Sequence, residues 1–513
     1  MIETNVWKRE MPEFREKTKQ FYRGELDKAA YKGFSGKYGS YAQRDGKSSM
    51  LRLRMSGGRL TMEKLKFIAD SIEKYQVDKI HLTTCETVQF HDLGEKAVCE
   101  IMEQALDAGI VTMGGGGDFP RNIMISPLSG VEKGEFFDVL PYAEAAGEYL
   151  LGFINAEKMP RKLKVCFSTS PSNVPHATFR DLGFVAREDG TFDVYSAGGL
   201  GNNPRFGLKV AEAIDPDKIL YYICAMRDTF IAYGNYEQRG KARTRYMQES
   251  LGEEGYVKAY QEKLKEVFAS GQNLDLKITP QEMKKSGDGT TVEGKRVIAQ
   301  KQDGLYTVKY HPIGGCPDPG KFKELYDIIK DMEEVEIRLS PDESMYIINL
   351  TGAEAKKVLK VTEDGSKNLF ETSVSCIGSK ICQVGLRDSQ GLLHRVIEAA
   401  REAGLKEGSL PQIHISGCPS SCGTHQTGTI GFHGMVKVID KVPYPAFTLH
   451  VNGCDLQGQE TMGEQLGVIL EKDIPEFLVK VGQTVEEAET DYETWMKENK
   501  AAFVEIAERY IAK

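Results

Sequence analysis

Two segments of the chain repeat one another at fixed internal spacing. Residues 49–90 read SMLRLRMSGGRLTMEKLKFIADSIEKYQVDKIHLTTCETVQF, and residues 305–350 read LYTVKYHPIGGCPDPGKFKELYDIIKDMEEVEIRLSPDESMYIINL. Each runs from a strand-like stretch through a Gly-Gly turn into an amphipathic helix and out along an Ile-x-Leu strand. Gly58 to Ile80 spans 22 positions, as does Gly315 to Ile337, and the copies are offset by 257 in a chain of 513 residues. Generic strand–helix–strand units do not share such spacing, so the pattern predicts gene duplication and a pseudo-two-fold architecture. Leu65, Ile68, Ala69 and Ile72 form an i, i+3, i+4, i+7 stripe, and Phe322, Leu325, Ile328 and Ile329 line the second helix. Elements of this kind predict an α+β fold with helices laid on sheet faces.

A longer stretch follows each copy. Residues 119–210 carry strand-like runs such as 163–168 and a Gly-rich loop, Gly198-Gly199-Leu200-Gly201; residues 371–440 carry close cysteine pairs. A charged helix is expected over 237–265, a linker around Ser286–Gly289, and acidic amphipathic helix over 473–511. This predicts four parts: 1–115, 116–290, 291–365 and 366–513. A net charge of −9 argues against a nucleic-acid partner. No apolar run approaches the ~20 residues of a membrane span. The first residues lack the basic start and apolar core of a signal peptide, so a cytoplasmic location is expected.

Ten cysteines in such a chain do not read as a disulfide framework. Four stand out: Cys376 and Cys382 in SVSCIGSKICQVG, and Cys418 and Cys422 in HISGCPSSCGTHQTG. Glycine and proline surround both pairs, as loops wrapped around a compact inorganic core require. Four thiolates from two loops suit tetrahedral zinc or an iron–sulfur cluster. The C-x5-C and C-x3-C spacings favour the cluster, since structural zinc more often takes C-x2-C.

These cysteines, the S-G-C-P-x-x-C-G run and the following G-x-x-G-F-x-G resemble the siroheme-dependent nitrite and sulfite reductase family. So do MLRLRMSGG (50–58), PRN (120–122), PRKLK (160–164), GGLGNNPRFG (198–207) and YGNYEQRGKARTRY (233–246). The resemblance runs from about residue 35 to residue 460. It implies ferredoxin-like half-domains in the duplicated segments and α/β domains for siroheme and a [4Fe–4S] cluster. It implies that Cys376, Cys382, Cys418 and Cys422 hold the cluster, with Cys422 also bridging to the siroheme iron. Six-electron reduction of an oxyanion, sulfite to sulfide or nitrite to ammonium, would follow. Arg52, Arg121, Lys162 and Lys164 match the cations that bind the anion and feed it hydrogen bonds and protons. Arg54, Thr84, Gln89, His91, Arg161, Gly199, Asn203 and Arg205 match positions around the tetrapyrrole. Relatives dedicated to nitrite tend to carry asparagine in place of the second lysine of Lys-x-Lys, so Lys164 favours sulfite; RNIMISPLSGV looks more like nitrite-type members.

The chain departs from the family where an arginine-rich strand is usual: His81 and Cys85 replace two arginines that pair with tetrapyrrole carboxylates. Arg54, Arg59, Arg161 or Arg205 would have to compensate, and Cys85 is expected to be a plain buried thiol. His414, His425 and His433 are expected to be hydrogen-bonded core residues. GGLGNNPRFG matches neither a dinucleotide nor a P-loop fingerprint. No flavin or nicotinamide domain is legible, so electrons must come from a ferredoxin or, second, a separate flavoprotein. Arg239, Lys241, Arg243 and Arg245 would supply a docking patch, unless they are merely a solvated helix face. Two alternatives stand: a precorrin-3B synthase-like tetrapyrrole oxygenase, favoured by the lost arginines, and a non-enzymatic zinc-stabilised scaffold or redox sensor that inherited the fold.

Overall fold

The computed structural model describes residues 4–279 and 283–512. These divide into two compact units. The first is drawn from Met1–Gly199, Pro204–Tyr310 and Pro317–Glu363, the second from Leu200–Asn203, His311–Cys316 and Asp364–Lys513.

In the first unit the duplicated segments build two sheets. One runs Ser40–Ala42, Ser49–Arg54, Thr87–Leu93, Ile80–Leu82. The other runs Val297–Ala299, Tyr306–Tyr310, Met345–Leu350, Glu336–Leu339, and ends on Arg59–Leu60, which comes from the first copy. Register repeats with the sequence: Arg52 pairs with Gln89, and Lys309 pairs with Tyr346, each 257 positions on. The Gly-Gly turns repeat as well, because Gly57 (φ 63°, ψ 24°) and Gly314 (φ 60°, ψ 24°) both take left-handed backbone. Thr61 caps the helix Met62–Tyr75 by accepting from the Lys64 amide. Leu65, Ile68 and Ala69 of that helix share one core with Phe322, Leu325 and Ile329 of Lys321–Ile329, while Ile328 is half-buried at its edge.

A third sheet of this unit has the order Leu208–Ile214, Phe192–Ser196, Leu182–Ala186, Val165–Ser168, Met124–Ile125. Its last three strands are parallel. Phe167, Phe184 and Phe192 meet on the face covered by Leu140–Leu151, Ile219–Tyr233 and Glu253–Ala269. The second unit repeats this plan. Val374–Ser375, Ile413–Ser416 and Ile430–Ile439 are parallel, and Val442–Val451 and Glu464–Leu470 continue antiparallel. Ser389–Glu402, Ile474–Glu487, Tyr492–Glu498 and Lys500–Glu508 share its core.

The helix expected over 237–265 is shorter. Arg239–Lys241 and Thr244–Tyr246 are 3-10 turns, Met247–Leu251 is a short helix, and Gly252 at φ 73° breaks it from Glu253–Ala269. Residues 271–279 and 283–293 contain neither helix nor strand, as expected of a linker. Among the described residues no helix is long and apolar enough to cross a membrane.

Candidate functional site

Strand periodicity puts Arg52 and Arg54 on one face of Ser49–Arg54. Both turn toward the loop Thr112–Gly117. Arg52 and Arg121 each donate from Nη1 to the carbonyl of Gly115, and Arg121 Nη2 donates to the Gly117 carbonyl at 2.7 Å. Arg54 is buried and donates to the carbonyls of Met113 (2.7 Å) and Arg121 (2.9 Å). A side chain at Gly114 would place Cβ 2.6 Å from Arg54 Nη1, so the four-glycine run is what admits this approach. Three guanidinium groups therefore crowd one loop. Burial, then Arg121 and Arg52, pull Arg54 down to about 9. Burial and Arg52 pull Arg121 down to about 10, against an opposing pull from Tyr41. Burial resists ionisation of Tyr41, yet Arg121, the Gly117 amide and Arg52 hold its phenol below the ordinary value. An arginine cluster with these properties favours an anion.

Lys162 and Lys164 lie just before Val165–Ser168, joined to the arginines by a parallel bridge between Pro120 and Leu163, where the Arg121 amide donates to the Leu163 carbonyl at 2.8 Å. Both lysines are half-buried. Lys164 Nζ donates to Cys85 Sγ at 3.1 Å, and its backbone amide donates to Asp181 at 2.8 Å. Cys85 is thus not the plain buried thiol expected: it is half-buried and paired. Burial opposes its ionisation, but Lys164, Arg180 and Arg52 outweigh that and bring it down to about 6. Burial also lowers Lys164, with Cys85 acting in the other direction.

The structure distributes the residues assigned to the tetrapyrrole. Gln89 bridges Arg52 and His81: with its amide oxygen toward Arg52, Arg52 Nε donates at 3.1 Å. His81 also lies 3.4 Å from Glu343. His91 is buried against Gln43 (3.1 Å), and burial holds its imidazole well below the usual value. Thr84 is buried in the turn after Ile80–Leu82. Arg161 pairs with Asp118 at 2.6 Å, which Arg239 shares at 2.7 Å. Gly199 and Arg205 exchange both backbone hydrogen bonds across a tight loop. Asn203, at φ 55°, belongs to the loop tip that clusters with the second unit, where Gly201 and the Gln426 side chain exchange two bonds of 2.9 Å.

Of the four arginines that could stand in for those lost, Arg59 is committed to Glu336 and Glu144, Arg54 to backbone carbonyls and Arg161 to Asp118. Arg205 keeps a buried Nε with no partner among the described residues, as do Arg121 and Arg243. Buried N–H groups without acceptors cost stability that an anionic ligand would restore. The set therefore fits a group that carries carboxylates. The four cations of 239–245 do not form one solvated face: Arg243 turns inward to the buried Asp181 at 2.9 Å and Arg245 is buried, while Arg239 and Lys241 remain exposed.

In the second unit both cysteine loops leave the C-terminal ends of adjacent parallel strands, a common place for bound groups in open sheets. Cys376 follows Val374–Ser375, and Cys418 and Cys422 follow Ile413–Ser416. The Gly417 amide donates to Cys376 Sγ at 3.1 Å, and Ser389 Oγ lies 3.2 Å away. The Cys382 amide donates to the Gly378 carbonyl at 2.9 Å, closing the first loop, with Gly378 at φ 73°. None of the four is in a disulfide. Burial first, and then Cys422, push the Cys376 thiol up, so these sulfurs lie close enough to repel as thiolates. A bound cationic core resolves that repulsion, and the donor set fits an iron–sulfur cluster.

The spacing of the cysteine loop has a counterpart that sequence reasoning missed. Pro171, Asn173, His176 and Gly183 stand 248 positions before Pro419, Ser421, Thr424 and Gly431. Asn173 and Ser421 (φ 49° and 53°) and His176 and Thr424 (φ 62° and 53°) share left-handed backbone. Ser170 and Val174 occupy the places of Cys418 and Cys422, so only one loop of the pair can ligate metal. The Met113–Asp118 run, with its four glycines, was the available signal for the carbonyls that gather Arg52 and Arg121; Asp181 and Tyr41 had none.

The profile of a nitrite/sulfite reductase ferredoxin-like half domain matches residues 41–108 and 298–364. That of a nitrite and sulphite reductase 4Fe-4S domain matches 116–268. Together they take in more than half of the chain. A sulfite reductase [ferredoxin] of Mycolicibacterium paratuberculosis is 23% identical over 88% of this chain and 82% of that protein. A ferredoxin–nitrite reductase of Synechococcus elongatus is 27% identical over 75% of this chain and 76% of that one. The solved structure of the Mycobacterium tuberculosis NirA protein shares the fold, with a TM-score of 0.75 at 22% identity over 91% of this chain and 89% of that chain.

Proposed function

Because this chain belongs to the nitrite and sulfite reductase family, we propose that it reduces sulfite to sulfide with electrons from ferredoxin. The family consists of oxidoreductases that use siroheme and a [4Fe–4S] cluster. When bound, those groups supply single electrons to the oxyanion. Cys376, Cys382, Cys418 and Cys422 are the ligands we assign to the cluster; Arg205, Arg121 and Arg243 offer N–H groups to tetrapyrrole carboxylates. Arg52, Arg121, Lys162 and Lys164 bind and orient the anion. Each of its oxygens leaves as water, so protons must be delivered where the cations touch them, and Lys164 Nζ and the Tyr41 hydroxyl are the donors whose proton affinity the site has lowered. The location inferred is cytoplasmic.

The observation that carries the sulfite reading is Lys164, a second lysine set in a cation cluster. Sulfite near neutral pH is partly a dianion, and it gains more from an added positive charge than nitrite does. Lys164→Asn is expected to lower kcat/KM for sulfite at least tenfold, about 1.4 kcal/mol of transition-state stabilisation. Loss for nitrite should stay below about threefold. Tetrapyrrole and iron content must match in both proteins. Equal loss for the two anions would remove the sulfite preference. Nitrite would then be favoured, as likeness to the ferredoxin–nitrite reductases already suggests.

A further inference from the structure

Gly431 lies directly opposite His450 where Ile430–Ile439 pairs with Val442–Val451, and His433 lies opposite Thr448. Residues two apart on a strand share a face, so His433 and His450 stand diagonally on one side of the sheet. Between them Gly431 presents no side chain. A Cβ there would lie 1.8 Å from the carbonyl oxygen of His425. The missing side chain lets the loop after Cys422 press onto the sheet and brings a third imidazole against the other two. The ring centroids of His425, His433 and His450 form a triangle with sides of 4.8, 4.9 and 5.1 Å. One nitrogen from each lies within 4.8 Å of the others.

We propose that His425, His433 and His450 form a binding site for a first-row divalent cation of the zinc class, separate from the cysteine ligands. Three nitrogens around a tetrahedral zinc, each about 2.05 Å from the metal, stand about 3.4 Å apart, so small ring rotations close this triangle. His433 Nδ1 and His450 Nε2 are 2.8 Å apart and share one hydrogen bond, which the metal replaces. His425 is 1% exposed, yet its Nδ1 has no partner among the described residues, and His450, 2% exposed, turns Nε2 toward His433. Buried, unsatisfied imidazole nitrogens are costly in a core and useful in a ligand set. Burial lowers the proton affinity of each ring, with His450 adding to the effect at His433 and both neighbours at His425. Imidazole donors suit zinc, copper or nickel rather than calcium or magnesium. His433 is half-buried, which leaves the fourth position toward the less enclosed side. The metal would clip the loop Thr424–Thr427, whose Gln426 holds Gly201, onto the sheet.

The test uses the full chain with its iron and labile sulfide content measured before and after. Equilibrium dialysis against Zn2+ should show one zinc per chain beyond the iron. His433→Gln and His450→Gln should each weaken binding at least about 100-fold, since even losing an outer-shell partner costs 10–100-fold. The exposed His394→Gln should leave it unchanged. Zinc-edge X-ray absorption on the unsubstituted protein should show three imidazole nitrogens at about 2.0–2.1 Å, and this reading stands even where a variant fails to fold. No bound zinc, equal binding by the histidine variants, or a sulfur shell at about 2.3 Å would overturn the proposal; the last would place zinc on the cysteines.

Discussion

Cys85 is the residue whose behaviour departs furthest from its type. An ordinary thiol titrates near 8.5. Here burial resists ionisation and three cations overcome it, bringing the group down to about 6. The folded value is depressed, so the ionised pair with Lys164 contributes stability that is fully present above the unfolded pKa and is lost as pH falls through about 6. Iodoacetamide labelling of Cys85, followed by peptide mass, should therefore rise with a midpoint near 6. Lys164→Met should move that midpoint up toward the ordinary range. A midpoint that ignores Lys164 would mean the 3.1 Å contact does not exist in solution. Nothing in the sequence announced this pair. The partners are 79 positions apart and share no periodic element, and a family arginine replaced by cysteine reads only as a loss.

At the scale of elements, the duplication was legible where packing enforces it and hidden where chemistry erased it. The 257-residue offset survives because the Gly-Gly turn needs left-handed backbone and the helix stripe needs a core, and both leave a fixed spacing. The cysteine loop repeats too, at an offset of 248, but its first copy has serine and valine where the second has cysteine. Only backbone signs reveal it: Asn173 with Ser421, and His176 with Thr424. The charged segment after Tyr236 failed as a helix for a related reason. Arg243 and Arg245 are drawn inward, Arg243 to Asp181, a tertiary demand that local propensity cannot report. The glycines at 183 and 431 carry the same constraint, each with a Cβ position 1.8 Å from a loop carbonyl. Gly183→Ala must displace backbone and should cost at least about 3 kcal/mol, lowering Tm by roughly 4 °C in a unit of this size. Gly33→Ala, in the helix Lys28–Ser35 with nothing near its Cβ position, should be neutral or slightly stabilising. Equal melting of the two variants would show that the close approach at Gly183 relaxes freely.

For the whole molecule, the chemistry divides with the fold. Arg52, Arg121, Lys162 and Lys164 belong to the first unit, whereas all four clustered cysteines belong to the second. Each unit has its own cores: Leu65, Phe322 and their neighbours together with the Phe167–Phe184 stack in the first, Phe432, Phe447 and Phe477 in the second. In the second unit the cysteine loops join parallel strands of only two and four residues to the rest of the sheet. Strands this short bury little area, so a cluster held by these cysteines would carry a large share of local stability. Cluster loss should accordingly be felt unit by unit. Cys382→Ser is expected to lower iron and labile sulfide and to speed amide exchange through residues 374–386 and 413–426. The sheet of Val165–Ser168 and Leu182–Ala186, whose loop carries no cysteine, should keep its protection. Hydrogen exchange read by mass spectrometry separates the two regions directly. Exchange rising equally in both would mean that the two units unfold as one, and that the cluster supports the molecule as a whole rather than the half that supplies its ligands.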